Sequence, residues 1–215
     1  MTLCLVTDRR RLCGGNAPFE VARQRLTEQA RAAIDAGVNL IQVREPDLAA
    51  IQLMAIVDDL VGLSRGTATR VVVNDRLDIA LACAADGVHL RSDSIPAADA
   101  RRMTPSSFLV GRSVHTAREA IDAGEVDYLI AGTVFPTASK PAGHEPIGPE
   151  GLRAIVAARR VPVLAIGGVT ADRLAQIAAS GAAGAAAIGL FLGGAPFAAL
   201  VTACRARFDS MNSAP

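Results

Sequence analysis

The stretch Val163-Leu164-Ala165-Ile166-Gly167-Gly168-Val169-Thr170 joins a short apolar run to the beginning of a helical pattern through two glycines. Four apolar residues in a row suit a buried strand. Thr170 can cap the helix that Ala171 and Asp172 would open. The stretch therefore predicts a strand, a tight turn and a helix in immediate succession.

The same alternation of short apolar runs and longer helical patterns extends along the whole chain. The predicted strands are Leu3–Val6, Asn39–Val43, Arg70–Val73, Gly87–Leu90, Phe108–Gly111, Tyr128–Gly132, Val163–Ile166 and Ala185–Ile188. The predicted helices are Val21–Ala36, Leu48–Leu63, Arg76–Ala84, Ala97–Met103, Ala117–Ala123, Pro149–Ala158, Ala171–Ser180 and Pro196–Phe208.

Successive strands are separated by about 20–40 residues, which leaves room for one helix in each crossover and favours parallel pairing. Eight strand–helix units predict an α/β protein, a single-domain (β/α)8 TIM barrel spanning residues 1–215. An open, doubly wound sheet is the alternative. No G-x-G-x-x-G motif follows the first strand, which weakens that alternative.

Composition narrows the classes of partner. The formal net charge is +1, so no global field attracts nucleic acid or an anionic membrane. No apolar run approaches the length of a membrane span, and no signal peptide is evident. The spacing of Cys4, Cys13, Cys83 and Cys204 matches neither a zinc site nor a redox pair. We expect reduced thiols and a cytoplasmic protein, with a Cys4–Cys13 disulfide as the alternative.

Polar residues and glycines stand where the predicted strands end, although the strands themselves are apolar. Active sites of (β/α)8 barrels lie at the C-terminal ends of the strands. The candidates at these ends are Gln42, Arg44, Asn74, Asp75, His89, Arg91, Ser113, His115, Thr133, Gly167, Gly168 and Gly189.

The second strand places two polar residues on one face. Alternation along a strand puts Gln42 and Arg44 on the side of the barrel interior, because Ile41 and Val43 would face the helices. A buried Arg44 would need an anion, either a ligand phosphate or a carboxylate of the protein such as Asp75 or Glu45.

Asp75 follows Asn74 at the end of the third strand. A carboxylate beside an amide suits a hard cation such as Mg²⁺. The alternative for Asp75 is a helix cap. The three histidines lie far apart in sequence and show no metal-ligand spacing, and His89 on a strand suits a core residue with satisfied hydrogen bonds.

Two segments suggest phosphate binding. The hydroxyls of Thr137 and Ser139 precede the ammonium of Lys140 in a polar loop, and together they could clamp a phosphate. The Gly167-Gly168 turn offers bare N–H groups, and Gly189 ends the eighth strand. The alternatives are a solvated loop and a tight turn without a ligand. The long irregular segment Phe135–Gly148 is expected to be functional or mobile.

Several of these segments, in this order, resemble thiamine-phosphate synthases and the related thiazole tautomerases. The matching blocks are Leu5-Val6-Thr7-Asp8, Gln42-Val43-Arg44-Glu45, Val73-Asn74-Asp75-Arg76-Leu77-Asp78-Ile79-Ala80, Ala85-Asp86-Gly87-Val88-His89-Leu90, Gly111-Arg112-Ser113-Val114-His115, Gly132-Thr133-Val134-Phe135-Pro136-Thr137-Ala138-Ser139-Lys140 and Ala165-Ile166-Gly167-Gly168-Val169.

The resemblance implies a Mg²⁺-dependent synthase that condenses hydroxymethylpyrimidine pyrophosphate with hydroxyethylthiazole phosphate. The products would be thiamine phosphate and pyrophosphate. It also implies a pyrophosphate site and a thiazole phosphate site, and barrels of this family are commonly dimeric, so a homodimer is expected. The implied catalytic residues are Arg44, Asn74, Ser113 and Lys140, the implied metal ligands are Asp75 and Asp93, and the implied substrate-binding residues further include Gln42, Thr137, Ser139, Gly167, Gly168 and Gly189.

The chain departs from the synthase pattern at two places. Pro46 stands where the synthases carry a lysine, and Ser94 stands where they carry a metal-binding aspartate, with Asp93 one residue earlier. Arg91 could supply charge there in place of the metal or of that lysine. Asp75 and the Thr-x-Ser-Lys loop favour the synthase. The alternatives are a thiazole tautomerase and a non-catalytic paralogue that binds thiazole phosphate or thiamine phosphate.

Overall fold

A computed structural model describes residues 1–137, 139, 141 and 143–210 of the chain. The eight strands are all parallel and pair in chain order, and the eighth strand pairs with the first to close a barrel. The (β/α)8 prediction is therefore confirmed, and closure excludes the open, doubly wound alternative.

The strands lie close to their predicted positions. They are β1 Thr2–Val6, β2 Leu40–Val43, β3 Arg70–Asn74, β4 Gly87–Leu90, β5 Leu109–Val114, β6 Tyr128–Gly132, β7 Val163–Ile166 and β8 Gly184–Ala187. The largest difference is in β5, which runs three residues beyond the predicted end at Gly111. This extension places Ser113 inside the strand instead of in the following loop.

The helices surround the barrel. They are α1 Arg9–Leu12, α2 Phe19–Asp35, α3 Ala50–Ser64, α4 Leu77–Ala82, α5 Ala97–Arg102, α6 Ala117–Ile121, α7 Gly148–Ala158, α8 Leu174–Ala179 and α9 Phe197–Asp209. Short 3-10 helices occupy Ala171–Arg173 and Gly189–Leu192. None of the helices in the described part of the chain is long and apolar enough to cross a membrane.

Alternation along the strands divides the buried side chains into two layers. Ile41 and Val43 belong to the large cluster between sheet and helices, whereas Leu40 and Val72 belong to a smaller cluster inside the barrel. Aliphatic residues and alanine form most of both layers, as the low aromatic content predicts. The strand order and register fix which side chains meet at the C-terminal mouth.

One local prediction is wrong, and two of the alternatives are excluded. The helix predicted from Ala171 begins as a 3-10 turn, and the Thr170 side chain makes no capping hydrogen bond. Asp75 is not a helix cap, because Arg76 occupies the N-cap position of α4. The alternative Cys4–Cys13 disulfide is not formed, and all four cysteines are free, which agrees with the expected reduced thiols.

Candidate active site

The mouth at the C-terminal ends of the strands gathers most of the predicted polar residues. The parallel register sets the residues that end neighbouring strands side by side: Asn74 lies opposite His89, and Leu90 lies opposite Arg112. Polar groups from β2, β3, β4 and β5 therefore approach one another on one side of this mouth, and the glycine turn after β7 and Gly189 after β8 follow further round the barrel.

Gln42 and Asn74 form a polar pair inside the upper barrel. Nε2 of Gln42 donates to Oδ1 of Asn74 over 2.9 Å. Gln42 is 3% exposed, and its Oε1 is buried without a partner among the described residues. A buried acceptor that is left unpaired costs about 1–3 kcal/mol. This orphaned acceptor points to a ligand that brings a hydrogen-bond donor.

A hydrogen-bonded column crosses the barrel from β6 to β5. Nδ1 of His89 lies 3.2 Å from the hydroxyl of Tyr128, and its Nε2 lies 2.9 Å from Oγ of Ser113. Gly111 stands between the two rings, since a β-carbon there would lie 2.1 Å from the Tyr128 ring. The glycine makes room for the stacked pair, and the column fixes the Ser113 hydroxyl.

His89 is a neutral residue at physiological pH. It is 1% exposed, and burial lowers its pKa to about 3. With both ring nitrogens paired, His89 matches the predicted core histidine with satisfied hydrogen bonds. Such a low pKa makes it a poor general base at neutral pH, so its contribution to the site is to orient Ser113.

The prediction that the Arg44 side chain is buried in the barrel interior is wrong. The strand ends at Val43, so the alternation stops there, and the Arg44 side chain is exposed at the mouth. Neither predicted carboxylate partner binds it: within the described residues no ion pair includes Arg44. Its backbone N–H donates to Oγ1 of Thr7 over 2.9 Å. Arg44 is thus anchored by its backbone with its guanidinium open to a ligand.

Glu45 is the buried charge of this segment. It is 4% exposed and accepts from the backbone N–H and from Nη1 of Arg9, each over 3.0 Å. Burial raises the pKa of Glu45, and the hydrogen bonds from Thr7 and Arg9 oppose that rise. Arg9 also binds Asp47 and lowers the pKa of that carboxyl to about 2. This network braces the loops after β1 and β2.

Asp75 lies at the end of β3 in contact with the loop that follows β4. The Ser94 hydroxyl donates to Oδ1 of Asp75. Nη1 of Arg91 lies 3.9 Å from Oδ2 of Asp75, and Nη2 of Arg91 lies 2.6 Å from Oδ2 of Asp93. The two predicted metal ligands are therefore brought together, with the guanidinium of Arg91 in contact with both.

This arrangement limits the kind of metal site that the loop can form. Among the described residues no three His, Cys, Asp or Glu side chains are grouped so that they could hold a metal ion. Mg²⁺ at phosphate sites is usually held by one or two carboxylates and completed by substrate oxygens. Asp75 with the neighbouring Ser94 hydroxyl fits a metal ion shared with a substrate and does not fit a closed protein cage.

The glycine turn after β7 is crowded and left-handed. Gly167 and Gly168 have φ values of 95° and 62°. A β-carbon on Gly168 would lie 2.6 Å from the carbonyl oxygen of Pro136. Close packing against the β6 loop therefore requires glycine. In the described part of the chain, the N–H groups of Gly167, Gly168 and Gly189 donate to no other protein group, which leaves them available to an anion.

The polar loop after β6 approaches this turn. The N–H of Phe135 donates to the carbonyl of Gly167 over 3.1 Å, which pins the base of the loop. The hydroxyls of Thr137 and Ser139 lie 3.2 Å apart. Lys140, the last residue of the predicted clamp, lies outside the described residues. The base of the loop thus lies against the glycine turn, and Thr137 follows directly after Pro136.

Two arginines near the mouth were not anticipated. Arg9 holds Glu45 and Asp47, and Arg11 of α1 reaches β8: a β-carbon on Gly189 would lie 3.4 Å from Nη2 of Arg11. The short helix α1 was not predicted either. The only sequence signal for it is Asp8, which accepts from the Arg11 N–H as the N-cap.

Comparison with known proteins agrees with this geometry. A family model described as thiamine monophosphate synthase matches residues 3–191. A thiamine-phosphate synthase from Methanoregula boonei is 43% identical over 77% of this chain and 78% of its own length. A thiamine-phosphate synthase from Moorella thermoacetica is 41% identical over 80% of this chain and 83% of its own.

Solved structures show the same likeness. The thiamine phosphate pyrophosphorylase from Pyrococcus furiosus superposes with a TM-score of 0.81 at 32% identity, covering 98% of this chain and 96% of that one. A 3-hexulose-6-phosphate synthase shares only the fold, with a TM-score of 0.66 at 20% identity over 96% and 99% of the two chains.

The fold and the residues at its C-terminal mouth define a (β/α)8 barrel enzyme. The active-site end carries exposed guanidinium groups and backbone N–H groups that are available to an anion. The chain belongs to the thiamine monophosphate synthase family. The family resemblance predicted from the sequence motifs is confirmed.

Proposed function

We propose that this protein is a thiamine-phosphate synthase that joins hydroxymethylpyrimidine pyrophosphate to hydroxyethylthiazole phosphate. Thiamine phosphate and pyrophosphate would be the products. Family membership supports the reaction. The observation that supports it in this chain is that one mouth holds the exposed guanidinium of Arg44 and the available N–H groups of the glycine turn, with the buried, unpartnered Oε1 of Gln42 near the first of these.

The pyrophosphate region is proposed to consist of Arg44, Asn74 and Ser113, together with Lys140, which lies outside the described residues. The Arg44 guanidinium has no ion pair in the described chain, and the His89 column fixes the Ser113 hydroxyl. Charge-assisted hydrogen bonds from such groups are stronger than neutral ones. They would hold the pyrophosphate and stabilise the charge that develops as the C–O bond to the pyrimidine breaks.

The thiazole phosphate region is proposed to consist of the N–H groups of Gly167, Gly168 and Gly189 with the hydroxyls of Thr137 and Ser139. Three unpaired backbone donors form a suitable cradle for a phosphate monoester. Arg11 adds positive charge beside Gly189. A phosphate at the β7 and β8 loops is a recurrent feature of this fold.

Gln42 is proposed to orient the pyrimidine. Its buried Oε1 would accept from the exocyclic amino group of that ring, which satisfies an acceptor that is otherwise unpaired. The mouth needs no strong base for this reaction: the C–O bond breaks, and the thiazole nitrogen supplies the electron pair of the new C–N bond. A histidine with a pKa of about 3 is compatible with that chemistry.

Mg²⁺ is proposed as the cofactor, held by Asp75 and Asp93 together with pyrophosphate oxygens. When bound, the ion would neutralise charge on the leaving group. One or two carboxylates completed by substrate oxygens suit an ion that arrives with its substrate. A cytoplasmic location, a homodimer, and the lack of nucleic-acid and membrane partners stay predictions.

The thiazole tautomerase alternative has less support in this mouth. That reaction moves a proton and needs a base beside the thiazole. Thr133, which packs against Gly167 in the proposed thiazole phosphate region, is buried and carries no basic group, and His89 is buried on β4 with a pKa of about 3. His115 is bound to Glu119 over 3.0 Å. The arrangement therefore favours the synthase.

The test is turnover of the purified protein with both precursors and Mg²⁺, followed by chromatography of thiamine phosphate and by pyrophosphate release. We expect the two products in equal amounts, and neither product when either precursor is omitted. If no product forms although the protein binds thiazole phosphate, the synthase proposal is contradicted. That result would support a tautomerase or a binding paralogue.

A further inference from the structure

The loop that follows β4 carries a cation whose position is built by the fold. Arg91 comes directly after the last residue of β4, and it contacts Asp93 over 2.6 Å and Asp75 over 3.9 Å. The Arg91 side chain remains 57% exposed. It has five N–H donors, and these two contacts leave most of them unused.

Several hydrogen bonds hold this loop in place. The Arg91 N–H donates to Oγ of Ser94 over 2.8 Å, and the same hydroxyl donates to Asp75. Arg112 of β5 donates to the carbonyls of Ser92 and Ile95 over 2.9 and 3.0 Å. The loop is therefore fixed to both neighbouring strands, so Arg91 cannot be regarded as a freely moving surface side chain.

The position of Arg91 relates it to the pyrophosphate region. Asn74 lies opposite His89 in the register, and Asp75 is the next residue after Asn74. The guanidinium that contacts Asp75 thus lies beside residues proposed to bind pyrophosphate. A pyrophosphate carries more negative charge than either carboxylate, so it would compete effectively for the unused donors of Arg91.

We infer that Arg91 is a pyrophosphate-binding residue, a cation supplied by the protein at the leaving-group end of the mouth. This inference rests on the proposed function. Asp75 and Asp93 hold the guanidinium beside the residues proposed to bind the anion. Arg91 binds the anion without a metal ion, and Mg²⁺, when present, would take the place of the guanidinium beside Asp75.

The test is calorimetric binding of inorganic pyrophosphate in EDTA and again in saturating Mg²⁺. The variants are Arg91→Ala and Arg91→Lys. The matched control is Arg102→Ala, since Arg102 forms a similar exposed pair with Asp99 over 2.6 Å at the far end of α5. Thermal unfolding of each variant verifies the fold, which should persist because Arg91 is exposed.

We expect the wild type to bind pyrophosphate in EDTA and Arg91→Ala to bind it about ten- to a hundredfold more weakly, the loss of one charge-assisted hydrogen bond. Arg91→Lys should retain part of the affinity, and Arg102→Ala should retain all of it. The loss in Arg91→Ala should shrink in Mg²⁺. Equal affinity of Arg91→Ala and wild type in EDTA, or no metal-free binding by the wild type, would overturn the inference.

Product formation by the wild type separates this inference from the proposed function. If the wild type makes thiamine phosphate while Arg91→Ala binds pyrophosphate normally, the inference is wrong and the function stands. If the wild type makes no product while pyrophosphate binding depends on Arg91, the function is wrong and the anion contact is supported.

Discussion

His89 shows how a single buried residue fixes part of the mouth. Both ring nitrogens are paired, and burial lowers its pKa to about 3. An unfolded histidine has a pKa near 6.5. Between these values the unfolded state binds a proton that the folded state does not. The contribution of neutral His89 to stability is therefore complete above about pH 6.5 and declines as the pH falls toward 3.

We predict that His89→Gln flattens the pH dependence of stability. Linkage for one group with these pKa values gives a loss of about 2 kcal/mol between pH 7 and pH 5 in the wild type. The variant lacks this group, so its free energy of unfolding should fall less over the same range. Urea unfolding at the two pH values measures the difference. Parallel pH profiles for the two proteins would mean that folding does not lower the pKa of His89.

Gln42 offers a separate test of the substrate site. Gln42→Met removes the unpartnered buried acceptor at nearly constant volume, and it also removes the Nε2 donor to Asn74. The gain from the first change and the loss from the second are of similar size, so we expect a net change in stability below about 1.5 kcal/mol. We also expect kcat/KM for the pyrimidine substrate to fall tenfold or more, because a hydrogen bond to that ring is lost. Steady-state kinetics and thermal unfolding measure both quantities.

Gln24→Met, on the exposed face of α2, is the matched control. An unchanged kcat/KM in Gln42→Met would show that Gln42 does not bind the pyrimidine substrate.

At this scale the sequence predicted which strand ends are polar but not how their charges pair. Alternation along β2 placed Gln42 correctly in the interior and failed for Arg44, because the strand ends at Val43. Glu45 is the buried charge, and its partner Arg9 begins α1, which follows β1. Long-range ion pairs of this kind depend on the closure of the barrel and leave no local pattern in the sequence.

At the scale of elements, the strands and long helices follow the hydrophobic pattern, whereas short segments do not. The extension of β5 to Val114 and the 3-10 turn at Ala171–Arg173 are set by neighbouring strands and loops. Four-residue elements such as α1 contain too few residues for periodicity to show. The Gly167-Gly168 turn could be predicted because its positive φ values require glycine, and the two glycines are visible in the sequence.

We predict that Gly168→Ala damages both stability and the thiazole phosphate site. Alanine at φ 62° is strained by about 1–2 kcal/mol, and its β-carbon would meet the carbonyl of Pro136 at 2.6 Å. The KM for thiazole phosphate should rise severalfold as the turn shifts. Thermal unfolding and kinetics measure the two effects.

Gly194→Ala is the matched control, since Gly194 has φ 70° with nothing within 4 Å of its added β-carbon. We expect Gly194→Ala to lose stability through the same backbone strain and to keep the wild-type KM for thiazole phosphate. Equal KM values for Gly168→Ala and wild type would place the phosphate elsewhere.

The loop after β4 gives a prediction about metal dependence. Ser94→Asp sets a carboxylate against Asp75 where the wild type has a hydroxyl donor. Like charges repel, so we expect the melting temperature of the variant in EDTA to fall by a few degrees, equivalent to about 1 kcal/mol. Mg²⁺ should restore it, because an ion bound only by the folded state stabilises that state.

The wild type and the control Ser106→Asp, on the exposed segment before β5, should respond little to Mg²⁺. A Ser94→Asp variant that is insensitive to Mg²⁺ would show that Asp75 is not part of a metal site.

At the scale of the whole molecule, closure of the barrel turns separate strand ends into one site. The net charge of +1 provides little attraction for anions over long distances. Binding of two phosphorylated substrates must therefore depend on local groups, namely open guanidinium groups on one side of the mouth and unpaired glycine N–H groups on the other. The sequence predicted these groups individually, and the parallel register brings them to one end.

The most direct test of this account is a crystal structure of the protein with thiamine phosphate and pyrophosphate bound together. We predict the phosphate monoester at the N–H groups of Gly167, Gly168 and Gly189, and the pyrophosphate against Arg44, Asn74 and Ser113. The pyrimidine amino group should lie within hydrogen-bond distance of Oε1 of Gln42. A phosphate monoester bound away from the glycine turn, or a pyrophosphate bound outside this mouth, would contradict the account.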